Sequence, residues 1–356
     1  TAITAPTELL AEQHFQVFSK WLKPLGLDPV WLSGKVTGKR RSEALQRIRD
    51  GAEVVIGTHA LMQKGVEFKS LGLVIVDEQH RFGVGQRMDL LEKGGTGGQQ
   101  THQMIMTATP IPRTLAMTAY AGMDVSVIDE LPPGRKPVTT VVMSNERRGE
   151  VIRRVASACA DNRQAYWVCT LIEESDAIEA QAAEDVARHL SDDLQGLAIG
   201  LIHGRMKPAD KQQVMDAFKA GDIHLLVATT VIEVGIDVPN ASVMVVEHAD
   251  RFGLSQLHQL RGRIGRGPYE SYCILMTDGP RSQDAFERLG VMSQTSDGFK
   301  IAEKDLEIRG PGDFVGTRQS GFPSFYFGNI VRDRKWLLLA ENEAIEHLRK
   351  ISEDSR

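Results

Sequence analysis

The stretch LVIVDEQHRFG, Leu73 to Gly83, decides the reading of the fold. Val74, Ile75 and Val76 are consecutive branched apolar residues and suit a strand buried on both faces, as in a parallel sheet covered by helices. The acid pair Asp77 and Glu78 follows at once. In open α/β sheets ligands gather beyond the carboxyl ends of the strands, so the pair falls where a ligand would sit. Two carboxylates at such a rim can divide labour: one holds Mg²⁺ through oxygen, and the other orients or deprotonates a water attacking a phosphoryl group. A DE pair standing alone is more often an ordinary strand-end carboxylate pair, so its surroundings have to decide.

Working outward, the same rhythm recurs. AEVVIGT and QMIMTAT flank the opening stretch, and QAYWVCTLI, LAIGLIHG, HLLVATT, SVMVVEHA and SYCILMTD follow in the second half, each separated by segments of helical character. This is the βα alternation of doubly covered parallel sheets. Between the groups lies LPPGRKPV, Leu131 to Val138, whose adjacent prolines and glycine interrupt regular structure. Three domains are expected: 1–131, 132–280, and a helical and loop appendage over 281–356. The appendage comprises a charged helix (RSQDAFERLGVMSQ), a glycine-rich loop (EIRGPGDFVGTRQSG) and an amphipathic stretch from Arg332 to about Lys350.

Composition sets bounds on the class. The 356 residues are 42% hydrophobic and 25% charged, ordinary for a soluble globular protein. No apolar run approaches the roughly 18 residues needed to span a bilayer, and TAITAPTELL has no basic flank or apolar core of a leader, so a cytoplasmic protein is expected. Cys159, Cys169 and Cys273 show no metal-ligand spacing and read as buried thiols. The net charge of -5 gives no global basic footprint, so any polyanion must be met by local patches.

Two further groups join the acid pair. Thr107 and Thr109 end the run after Gln103 and would place two hydroxyls at the same sheet edge; by themselves they would rather cap a helix starting near Pro112. In HQLRGRIGRG, Arg263 and Arg266 stand three apart and are expected on one helical face. Guanidinium groups presented so can neutralise charge on a transferring phosphate, whereas an isolated GRxGR reads better as a solvated basic face.

Taken in order, APTELLAEQ, GTHAL, VDEQH, TATPIPRTLA, IHGRM, ATTVIEVGIDVP and QLRGRIGRG resemble the motifs of superfamily 2 helicases, whose motor is a pair of RecA-like domains. DEQH with RFGVGQR, and the tail DLEIRGPGDFVGTRQSG, narrow the resemblance to the RecG family of bacterial fork-remodelling helicases. Transcription-repair coupling factors share the tail but typically carry DEEH where this chain has Gln79. The resemblance implies ATP and Mg²⁺ as cofactors, with Asp77 for the metal, Glu78 for the attacking water, and Gln79 and His80 coupling the two domains. It implies Thr107 and Thr109 linking ATP state to DNA grip, Arg263 and Arg266 at the γ-phosphate, and Gln259, Gly235 and Asp237 near the nucleotide. Pro6, Thr7, Glu8, Thr58, His59, Gly204, Arg205, Thr229 and Thr230 fall in motifs that face the DNA backbone. Arg309, Thr317, Arg318 and Gln319 belong to the motif that couples ATP turnover to translocation on duplex DNA. Double-stranded and branched DNA are the implied partners, with single-strand-binding protein a further one, and a nucleoid-associated monomer is the implied state.

A motor of this type needs a phosphate loop, G-x-x-x-x-G-K-[ST], and the 356 residues contain none. The closest imitation, SGKVTGKR, has Ser33 where the first glycine belongs and Arg40 where the Mg²⁺-binding hydroxyl belongs. Lys35, Lys39, Arg40 and Arg41 are therefore candidate DNA-phosphate contacts, or equally a solvated basic loop. The expectation is a first domain cut short at Thr1, from which the phosphate loop is missing, and a chain that by itself turns over ATP poorly. The competing expectation is a non-enzymatic module that holds duplex DNA.

Overall fold

The computed structural model describes residues 1–78, 101–108, 124–169, 176–229, 238–278, 282–309 and 333–354, together with Phe82, Leu90 and Lys93. The chain divides into two compact units, the first holding Thr1–Thr109 and the second most of the chain from Pro110 onward.

The first unit is a five-stranded sheet with β1 (Ala2–Thr4), β2 (Val30–Leu32), β3 (Val55–Gly57), β4 (Leu73–Asp77) and β5 (His102–Met106) in the order β2-β3-β1-β4-β5. Every pairing is parallel. Helices α1 (Glu8–Leu22) and α2 (Gly38–Asp50) connect the early strands. The helix α1 starts where it does because Thr7 is extended and its Oγ1 accepts from Leu10 N at 3.3 Å, satisfying an otherwise orphaned donor. Val74 and Val76 are wholly buried, in one core with Val30, Leu32, Val55 and Leu61. Side chains of this size each contribute about 1.5–3 kcal/mol when taken from water. Gly57 permits the tight junction of β2 and β3, since a Cβ there would stand 1.9 Å from Leu32 O.

The second unit is a six-stranded parallel sheet of β6 (Val138–Ser144), β7 (Gln164–Val168), β8 (Ile199–Ile202), β9 (Leu225–Ala228), β10 (Ala241–Val246) and β11 (Ser271–Thr277). Its order is β6-β11-β10-β7-β9-β8. Helices α3 (Arg148–Ala160), α4 (Asp176–Asp193), α5 (Pro208–Ala220) and α6 (Leu254–Arg261) link the strands. β7 runs through the middle, and both faces of it are closed: Tyr166 and Trp167 point to opposite sides and neither is exposed. Tyr166 meets Phe218 of α5 with ring centroids 5.0 Å apart. Beyond β11, α7 (Gln283–Gln294) packs on β6 and α6, and α8 (Gly298–Arg309) on α6 and α7. The last described helix is α9 (Arg334–Asp354). Among the described residues no helix is long and apolar enough to cross a membrane.

The fold class is the expected one, two parallel-sheet α/β domains with a helical remainder. Three strands escaped the sequence reading. β1 and β2 span three residues each, too short to show a period, and β6 begins at Val138, inside the segment read as irregular. All three cysteines are buried and free, as read. Burial pushes the Cys159 thiol up to about 11 and the Cys273 thiol to about 12.

Candidate functional site

Parallel register brings the first unit's motifs to one edge. Thr4 pairs with Gly57 and with Val76, and Asp77 with Met106, so the residues following β1, β3, β4 and β5 all emerge at the carboxyl rim. Pro6, Thr7 and Glu8 lie there, as do Thr58, His59, Asp77, Glu78 and Thr107. Asp77 is held from two sides. Its Oδ2 lies 2.7 Å from His14 Nε2 of α1, and its Oδ1 accepts from Glu78 N at 2.9 Å. Each oxygen keeps a second lone pair for a cation. Glu78 turns out of the strand with φ 49, a left-handed conformation costly for a residue with a side chain. Its Oε2 accepts from Ala108 N at 3.4 Å, tying the acid to the end of β5.

The residues assigned to DNA are placed in different ways. Thr7 caps α1. Glu8 receives Lys35, with Nζ 2.5 Å from Oε2 and Lys35 N donating to Oε1 at 3.3 Å. Thr58 is buried, and its Oγ1 accepts from Ala60 N at 3.5 Å, while His59 is exposed. Lys39 and Arg40 stand exposed in the first turn of α2 rather than in a loop. In the second unit, Val168 and Ile202 both pair with Ala228, which puts Gly204, Arg205 and Thr229 near one rim. Gly204 and Arg205 are exposed; Gly204 O accepts from Lys211 Nζ at 2.8 Å. Thr229 is buried, and its Oγ1 has no hydrogen-bond partner among the described residues.

The arginines differ from expectation. Helix α6 ends at Arg261, capped by Gly262, so Arg263 and Arg266 lie in the turn that follows and share no helical face. The glycines of GRIGRG are the cause, since Gly265 takes φ +74, outside any right-handed helix. Arg263 is buried and Arg266 partly so, with Arg266 Nε donating to Gly262 O at 3.2 Å. Gln259 lies partly buried on α6.

Several site residues were not singled out from the sequence. Besides His14, Arg261 lies buried at the end of α6 and donates through Nη1 to Met292 O and Thr295 O, both at 2.9 Å, and to Thr140 Oγ1 at 3.3 Å. Burial lowers its pKa. At the rim of the second sheet Arg148 pairs with the buried Glu247 and lies over the Trp167 ring, 4.9 Å from its centroid. Arg135 of the PPGR segment donates to the loop between Arg263 and Arg266. No local sequence signal marks partners 63 to 130 residues apart. Gln79, His80, Thr109, Thr230, Gly235, Asp237, Thr317, Arg318 and Gln319 lie outside the described residues, and Arg309 is the last residue of α8.

Residues 1–118 match the DEAD/DEAH box helicase family and 147–268 the helicase conserved C-terminal domain. Residues 295–355 match the C-terminal domain 3 of the ATP-dependent DNA helicase RecG. The RecG helicase of Pasteurella multocida is 61% identical over 94% of this chain and 49% of its own length. The chain is highly similar to bacterial RecG helicases. RecG of Escherichia coli K12 is 58% identical, again over 94% of the chain and 48% of the relative. The chain therefore spans about half the length of the curated RecG relatives it matches. A solved RecG, bound to a three-way DNA junction, is 42% identical with a TM-score of 0.73, covering 94% of this chain and 43% of that one. Yeast Dbp5, bound to RNA and ADP BeF3, is 14% identical with a TM-score of 0.58, over 86% of this chain and 81% of that one, and shows the RecA-like fold alone.

Proposed function

We propose that this chain is the motor of an ATP-dependent double-stranded-DNA translocase that remodels stalled replication forks and other branched DNA in recombination and repair. The observation that carries this is the likeness, over nearly the whole chain, to a RecG solved on a three-way junction. The functional division follows the sequence reading: a first helicase domain over 1–131, a second over 132–280 and a translocation appendage over 281–356.

Asp77 suits Mg²⁺, a hard cation that takes one or two carboxylates and fills its remaining positions with phosphate and water oxygens. When bound, the ion neutralises charge on the β- and γ-phosphates. The chain's own residues do the rest. His14 and the Glu78 amide fix the Asp77 carboxylate in one orientation. Glu78, held against Ala108 N, presents a carboxylate to orient the attacking water and take its proton. Arg263 and Arg266 supply the positive charge that develops value only as the phosphoryl group transfers, with Gln259 beside them. Gln79, His80, Gly235 and Asp237 are assigned to the nucleotide and its coupling, and Thr107, Thr109, Arg309, Thr317, Arg318 and Gln319 to passing ATP state to DNA grip. Hydroxyls and amides of the rim at Thr7, Thr58 and Thr229 suit phosphate without reading bases, and Thr230 is assigned to the same task. The 356 residues hold no phosphate loop, so the chain by itself is expected to hydrolyse ATP slowly or not at all. Single-strand-binding protein, monomeric action and a cytoplasmic, nucleoid-associated setting complete the reading.

The test is Glu78→Gln in the full-length protein. ATP turnover with saturating forked DNA should fall by about 10²-fold or more, with fork binding kept. Unchanged turnover and fork regression would remove Glu78 from the mechanism.

A further inference from the structure

The turn that carries Arg263 and Arg266 is clasped by the segment that precedes the second sheet. Arg135 Nε donates to Gly265 O at 3.0 Å and Arg135 Nη2 to Ile264 O at 3.5 Å. Both acceptors lie between the two arginines. The same segment backs the turn sterically: a Cβ on Gly265 would stand 2.7 Å from Val138 Cγ2 and 3.7 Å from Lys136 O. On the other flank a Cβ on Gly267 would stand 2.3 Å from Pro239 O, so the turn is seated on both sides.

Arg135 is itself well anchored. Its amide donates to Pro132 O at 3.1 Å, closing a turn over Pro133 and Gly134, and three residues later Val138 enters the sheet against Ser271. A guanidinium on such a stem is suited to its task, because a fixed fork of donors can hold two successive carbonyls where an ammonium offers a point charge.

We propose that Arg135 is a positioning residue for phosphoryl transfer: it fixes the turn from which Arg263 and Arg266 act, and so ties the segment between the two sheets to ATP turnover. The inference rests on the assignment of Arg263 and Arg266 to the γ-phosphate. A misplacement of about 1 Å at a catalytic group costs on the order of 10²-fold in rate, which is the scale a loosened turn would reach.

The experiment uses the full-length protein with saturating forked DNA and measures kcat and KM for ATP, with thermal melting as the check on folding. Arg135→Ala should lower kcat roughly 10- to 100-fold while KM for ATP moves less than about twofold, and Arg135→Lys should lie between it and the parent. Placed on an Arg263→Ala/Arg266→Ala background, Arg135→Ala should cost little more, because both groups it positions are gone. A kcat equal to the parent's, an undiminished loss on the Arg263→Ala/Arg266→Ala background, or a loss that follows the fall in folded protein would each overturn the proposal. Full turnover by both Arg263→Ala and Arg266→Ala would instead overturn the assignment beneath it, whatever Arg135→Ala does.

Discussion

His258 carries a titration that the fold imposes. Arg261 Nη2 lies 3.1 Å from His258 Nδ1, and a guanidinium only donates, so Nδ1 accepts and the ring is neutral with its proton on Nε2. Burial, and then the Arg261 charge, bring the His258 pKa down to about 4. Since the unfolded chain, near the ordinary 6.5, binds the proton more tightly, stability is fully present above about pH 6.5 and is lost as pH falls towards 4. The difference is worth roughly 3 kcal/mol at most. His258→Gln should therefore flatten the pH dependence of urea unfolding between those limits, relative to the parent chain. Two identical profiles would mean that His258 is not the group that titrates. At the same scale Glu78 shows what sequence can and cannot give. Its position after three branched apolar residues was legible, but its left-handed backbone was not, because no side-chain pattern announces φ 49. His14 was invisible as a partner of Asp77 for a different reason: helix α1 and strand β4 meet only through the parallel crossover, 63 residues apart.

Elements were legible where an apolar run announced them rather than by length alone, since the three-residue β3 was read within AEVVIGT and the seven-residue β6 was missed. The five-residue β4 and β7 declare themselves as apolar runs, whereas β1 and β2, at three residues each, exist because neighbours with stronger signals hold them in register. The helix predicted through Arg263 and Arg266 fails at Gly262, where the chain needs a turn more than a further helical bond. At that helix end Arg261 bolts α6 to the α7–α8 junction by donating to Met292 O and Thr295 O. Arg261→Leu fills similar space yet leaves these acceptors unpaired, so the second unit should lose about 3 kcal/mol or more. Arg261→Lys keeps a donor and should lose less. Urea unfolding gives the magnitude, and amide exchange in the last turn of α7 gives the place. If α7 exchanged no faster in Arg261→Leu than in the parent, the bolt would be worth little and the packing of α7 on β6 would suffice.

For the whole molecule, the net charge of -5 sets the question of how such a chain meets a polyanion. The answer lies in local presentation. Lys35 is drawn to Glu8 and Arg41 donates to Gln63 Oε1 at 2.7 Å, whereas Arg40 and Lys39, the latter in an exposed pair with Glu43 at 3.7 Å, project from the first turn of α2, where the helix's own first amides also favour an anion. Arg205 adds a further exposed cation at the rim of the second sheet. On the proposed function these cations meet DNA phosphate, so affinity should be nearly indifferent to sequence and should fall with salt as condensed counterions are released. The slope of log affinity against log salt is expected at about −0.9 for each phosphate neutralised. Lys39→Ala and Arg40→Ala should each flatten it by roughly one unit and weaken unrelated duplexes alike. This measurement needs no ATP turnover, so it can be made on the 356-residue chain as it stands. Equal affinity at low and moderate salt would mean that the exposed arginines and lysines face solvent, and that duplex DNA is held by some other surface.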